Sequence, residues 1–298
     1  MTELSTENHK AHASSEYLAT FKPRLMDWTA ARVFATKNLR IALRYPSNWL
    51  VWGFLPIFWY APYILMMTAL AGPDGSVHFT EISGFDDFIT FSIVGWFIYS
   101  YVDASIWSVG NNFRWEQFSG TLEPLFVVPV PRISILLGAA FSDTIQTTVS
   151  AFVLLLLSCA LFGVGYSLNA ITPIIIVLLM MMTALYGFGF MLAGLILVFK
   201  DPSVLTEFVD NVIYTVSPVN YPLQALPTAA RFGAFLVPST LAIITIREMA
   251  ITGTFGLISF IQTILGLGAI IIFFWMLGIV SFRYAERWTK QRGSMGGF

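Results

Sequence analysis

The chain has 298 residues, 56% of them hydrophobic and 11% charged, with a mean hydropathy of +0.73. A soluble domain carries about 25% charged residues, so too little polar surface is present to coat a water-soluble globule, and the composition is that of an integral membrane protein. A net charge of −1 offers no broad basic surface for nucleic acid, and the single cysteine, Cys159, excludes an internal disulfide framework and any multi-cysteine metal site.

Residues 1–20 are polar and lack the apolar core and small-residue cleavage site of a signal peptide. Residues 1–23 are therefore expected as a flexible cytoplasmic tail, and 24–298 as one transmembrane domain. Over 21–45, Leu25, Trp28, Ala31, Phe34 and Ala35 recur at helical spacing, and Arg24, Arg32, Lys37, Arg40 and Arg44 fill much of the rest. That pattern predicts a basic amphipathic helix lying in the membrane interface, closed by Pro46. The plainer alternative is a positive flank that only sets topology.

About 20 apolar residues cross a bilayer core. Six stretches meet that length: 48–71, 88–109, 133–162, 171–199, 204–226 and 255–282. Residues 227–254 are too apolar for an ordinary loop but carry Arg231, Pro238, Arg247 and Glu248. They are expected as a re-entrant or interfacial element between the fifth and sixth spans. With the N-terminus in the cytoplasm, fourteen of the sixteen lysines and arginines lie inside and only Arg231 and Arg247 outside. The positive-inside rule then puts both termini in the cytoplasm. The expected fold is all-α, with six transmembrane helices and an amphipathic N-terminal helix. No inverted repeat of two three-span halves is visible, which disfavours many secondary-transporter folds.

Between the second and third spans lies WEQFSGTLEPLFVVPVPR, residues 115–132. Ser119 and Gly120 stop a helix. Thr121 is suited to cap a new one, Glu123 suits its first turn, and Pro124 is tolerated there. Leu125, Phe126, Val127 and Val128 give an apolar side before Pro129 and Pro131 end it. A short rigid cytoplasmic helix within the segment 115–131 and a tight loop with its apolar residues turned back to the interface fit these residues equally.

That stretch resembles the segment after the second span of type-2 ATP-binding-cassette exporter permeases, through Glu116, Gly120, Thr121, Leu122, Glu123, Leu125, Pro129 and Arg132. A weaker resemblance is SPVNYPLQALP, with Pro218, Pro222 and Pro227, followed by Pro238 and Arg247 before the last span. The resemblance implies a permease that pairs with two copies of a nucleotide-binding ATPase and with a second permease copy or paralogue, in the plasma (inner) membrane. It places Glu116, Ser119, Gly120, Thr121, Leu122, Glu123, Leu125 and Phe126 at the ATPase contact. ATP and Mg would sit on the partner, and no cofactor on this chain. The five lysines are followed by Ala11, Pro23, Asn38, Asp201 and Gln291, so no P-loop is present.

Asp103 is the buried-looking charge of the second span, and charges in spans face a cavity or a partner. With Trp96 and Tyr99, too deep for an interfacial belt, it forms a possible substrate path; the bland alternative is a structural acid near the inner headgroups. Asp143 reads as an interfacial acid within reach of an arginine. Glu207 and Asp210 read as helix N-terminal acids. Gly187, Gly189 and Gly194 read as close-packing glycines. His9, His12 and His78 have no metal-ligand spacing. The expected function is export of a hydrophobic drug, lipid or lipid-linked compound. Glycan export is the alternative, and an ATP-independent secondary transporter or a membrane enzyme fits less well.

Overall fold

The computed structural model describes residues 26–71, 77–121, 124–125, 128, 130–167, 169–198 and 202–291. Among these residues every regular element is helical. The helices are α1 (Trp28–Arg44), α2 (Pro46–Ala71), α3 (Val77–Ser83), α4 (Phe88–Phe118), α5 (Arg132–Phe162), α6 (Ile171–Val198), α7 (Pro202–Val216), α8 (Thr228–Leu236), α9 (Pro238–Thr252) and α10 (Leu257–Gln291), with a 3-10 turn at Leu223–Ala225.

Among the described residues five helices are long and apolar enough to cross a membrane: Pro46–Ala69 in α2, Phe88–Ser108 in α4, Arg132–Phe162 in α5, Ile171–Leu195 in α6 and Leu257–Ala285 in α10. At 1.5 Å per residue each exceeds a hydrocarbon core of about 30 Å. The stretch expected as a fifth span, 204–226, is not one helix. Its helix, α7, ends at Val216, after about 22 Å. Pro218 and Pro222 withhold the backbone donors that continuation needs. The chain instead turns tightly, with Val219 N donating to Ser217 O at 2.8 Å. The stretch 227–254 forms α8 and α9, which meet at 94° and together reach the length and apolarity of a span. Pro238 at the first turn of α9 fixes that corner.

The core centres on α4, which touches α5, α6, α7 and α9. The broadest helix contact joins α6 to α10. There a Cβ on Gly278 would lie 2.4 Å from Gly187 O, and one on Gly194 would lie 2.9 Å from Phe282 N. Small residues let these backbones touch.

The amphipathic helix α1 lies on α5 through buried Ala31, Phe34 and Ala35. Trp28, expected on that apolar face, is 69% exposed. The helix starts at Asp27, whose carboxylate accepts from Thr29 N at 2.9 Å and Ala30 N at 3.3 Å. These bonds satisfy amides that have no partner inside the helix.

Candidate functional site

Residues 96, 99, 103 and 107 of α4 are spaced three and four apart, so they form one stripe along the helix. That stripe faces α7. Tyr99 is 3% exposed, and its hydroxyl donates to Asp210 Oδ1 at 2.5 Å. Trp107 Nε1 stands 3.5 Å from the second oxygen of the same carboxylate. The Asp103 carboxyl lies beside the Asp210 carboxyl. Among the described residues no basic side chain pairs with either acid.

An aromatic triad stands on this acid pair. Ring centroids are 5.9 Å apart for Trp96 and Tyr99, 5.2 Å for Tyr99 and Tyr214, and 6.0 Å for Trp96 and Tyr214. These are tilted and edge-on geometries that favour ring pairs. Asn220 donates to the Tyr214 hydroxyl, and Tyr63 donates to Asn220 O at 3.4 Å. Nearby, burial first and then the Tyr214 and Tyr63 phenols raise the Tyr221 phenol above its ordinary range, so it stays a neutral donor to Thr215 O. A polar thread therefore runs from Asp103 to the turn after α7.

The structure thus brings Trp96, Tyr99 and Asp103 together, and adds Asp210 and Tyr214. Asp210 is nine residues into α7, well past a helix N-terminus. Its i, i+4 spacing to Tyr214 was the signal that put both on one face.

The other end of α4 is built differently. Gly120 has φ 68°, a left-handed conformation that glycine adopts without penalty. The Thr121 amide donates back to Glu116 O at 2.9 Å, which is the Schellman closure of a helix C-terminus. Glu116 is 7% exposed. Its carboxylate takes Lys37 Nζ of α1 at 2.6 Å and the Thr121 hydroxyl. Glu116 therefore anchors the turn inside the molecule, while Ser119, Gly120 and Thr121 are exposed. Thr121 O accepts from Leu125 N at 3.2 Å, and Pro124 and Leu125 are helical. Leu125 packs back against Phe34, Ile135 and Ala139. Leu122, Glu123 and Phe126 lie outside the described residues.

At the opposite end of α4, Arg247 of α9 is 2% exposed. Its Nε donates to Phe91 O at 3.0 Å and its Nη2 to Val219 O at 2.7 Å. The guanidinium also stacks 3.5 Å from the Phe91 ring centroid. Only glycine fits at position 95: a Cβ there would sit 2.1 Å from Val219 O. Pro218 and Pro222 are buried beside this clamp, and Pro227 is exposed. Arg247, expected on the outer side, is thus a buried strut. Among the described residues no three His, Cys, Asp or Glu side chains gather as a metal site would require.

No protein-family model matches the chain, and no curated protein matches it.

Proposed function

We propose that the chain is the membrane-spanning permease subunit of an ATP-driven exporter. The observation that carries this reading is the construction of α4. It is one rod of 31 residues, about 46 Å long. Its apolar part bears the acid and aromatic cluster. Its far end bears a capped turn locked to α1 by Glu116 and Lys37. A push on that exposed turn is delivered along the rod to Tyr99 and Asp103, because a helix transmits displacement nearly rigidly.

In this reading the turn and the residues after it, Leu122, Glu123 and Phe126 included, meet a nucleotide-binding ATPase on the cytoplasmic side. Two such subunits carry ATP and Mg, and a second permease copy or paralogue completes the path. The bent α8–α9 pair is a re-entrant element toward the outer side, α7 and that pair together complete a broken fifth crossing, and both termini are cytoplasmic. Trp96, Tyr99 and Tyr214 offer ring faces to a hydrophobic or lipid-linked substrate. The same rings also suit a sugar, which keeps glycan export as a variant of this reading.

The carboxyl pair Asp103 and Asp210 favours a second reading, an ion-coupled secondary transporter, since intramembrane acids mark ion and proton pathways. Efflux of hydrophobic dyes from cells producing the chain separates the two. An exporter stops when vanadate blocks ATP hydrolysis and survives an ionophore. Efflux that survives vanadate and stops with the ionophore contradicts the exporter reading.

A further inference from the structure

A second stripe of α4, formed by Tyr101, Ser105 and Ser108, faces away from α7. With Asp143 and Thr144 of α5 and Tyr186 of α6 it lines a crevice with room for one water-sized particle. All six residues lie in stretches apolar enough to cross a membrane. These six side chains each carry an oxygen, one of them an acid, and Ala104, Ala140 and Met182 complete the lining.

The Asp143 carboxylate has only neutral company. Gln146 Nε2 donates to its Oδ1 at 3.2 Å, and the Ser108 and Ser142 hydroxyls stand beside it. Among the described residues no basic side chain pairs with it, so the arginine expected from the sequence is absent from this contact. A carboxylate in an apolar bundle is costly without a counter-charge.

The hydroxyls around it face the same way chemically. Tyr186 donates to Ala140 O at 3.0 Å, Thr144 to Ala140 O at 2.8 Å, and Tyr101 to Thr148 Oγ1 at 3.3 Å. Their protons are committed to Ala140 O and Thr148 Oγ1, and their lone pairs remain. Ser105 is 4% exposed, and its hydroxyl, like that of Ser108, makes no hydrogen bond of good geometry. Buried polar groups left so are rare and call for a missing partner.

We infer that the crevice between α4, α5 and α6 binds one sodium ion on the Asp143 carboxylate. Hard cations take oxygen ligands from carboxylates, hydroxyls, carbonyls and water. A single carboxylate balances a single charge, and the absence of any further acid, histidine or cysteine in the lining disfavours a divalent or softer metal. The site is separate from the Asp103 and Asp210 pair, which lies on the opposite face of α4. It does not depend on the source of energy for transport.

The test is thermal unfolding of the full chain in detergent, in sodium chloride against choline chloride at matched ionic strength. Sodium is expected to raise the midpoint by about 2–4 °C, the size given by filling a weak site in a chain of this length. Asp143→Asn should abolish the shift and Ser105→Ala should shrink it. Ser92→Ala removes a buried hydroxyl that also lacks a partner but lies outside the crevice, and should keep the shift. If Asp143→Asn does not fold, Ser105→Ala against Ser92→Ala decides. Equal midpoints in the two salts for the native chain overturn the site, as does a full sodium shift in Asp143→Asn or Ser105→Ala.

Discussion

Lys37 and Glu116 meet at 2.6 Å across 79 residues of sequence, and this pair fixes the end of α4 against α1. Lys37 also lies 4.5 Å from the Phe34 ring centroid, so it is held on both sides. The Glu116 carboxylate is nine-tenths buried and the Lys37 side chain is 40% exposed. Removing Glu116 leaves the lysine and the Thr121 hydroxyl without their acceptor. Glu116→Ala should therefore cost about 1–3 kcal/mol of stability. A double-mutant cycle with Lys37→Met should give a coupling of about 0.5–3 kcal/mol. Denaturation of the four proteins in detergent checks both values, and additive effects contradict the strut.

The clamp at the other end of α4 is less tolerant. Gly95→Ala puts a methyl group against Val219 O and the Arg247 guanidinium, and neither has room to retreat. Arg247→Met strands Val219 O and should cost about 2–4 kcal/mol. Arg247→Lys should recover only part of that, because lysine lacks the planar fork that reaches two carbonyls. Monodispersity after detergent extraction, followed by the unfolding midpoint, measures each loss.

Much of this fold was legible in the sequence. Spans one to four and the last are continuous apolar runs, and length alone found them. The fifth failed because hydropathy averages over prolines: Pro218 and Pro222 break a run that is apolar enough. Ala31, Phe34 and Ala35 gave the buried face of α1, while Trp28 was misplaced because a helix end projects past its support. Spacing put Trp96, Tyr99 and Asp103 on one stripe. Asp210 was hidden because a sequence does not say which helix packs opposite, and an acid near a helix start has an ordinary explanation. Glu116 matched a docking pattern, yet burial by Lys37, a contact distant in sequence, turned it inward.

The acid and aromatic cluster gives a prediction that separates function from folding. Tyr99→Phe keeps the ring contacts and removes only the bond to Asp210. Asp210→Asn keeps the shape and removes the charge. Both should preserve extraction and cost no more than about 1–2 kcal/mol of stability, read from unfolding. Each should lower dye efflux about tenfold, the effect of losing one hydrogen bond to a charged group during turnover. Unchanged efflux in both variants would remove the cluster from the path.

The start of α1 offers a local control. Asp27 caps two amides and its own amide donates to Ser134 Oγ at 2.7 Å. Asp27→Ala should cost about 1 kcal/mol with efflux unaltered, read from the unfolding midpoint and the dye assay together.

The central claim is that a separate ATPase seats on the exposed turn after Phe118. Its most direct test is a single cysteine at Ser119 in a Cys159→Ser background, photocrosslinked in native membranes, with the captured partner sequenced. The exporter reading predicts one partner, carrying a P-loop, whose capture falls away when Glu123→Lys is added. A chain that crosslinks to no P-loop protein, or captures it equally with Glu123→Lys, contradicts the docking assignment.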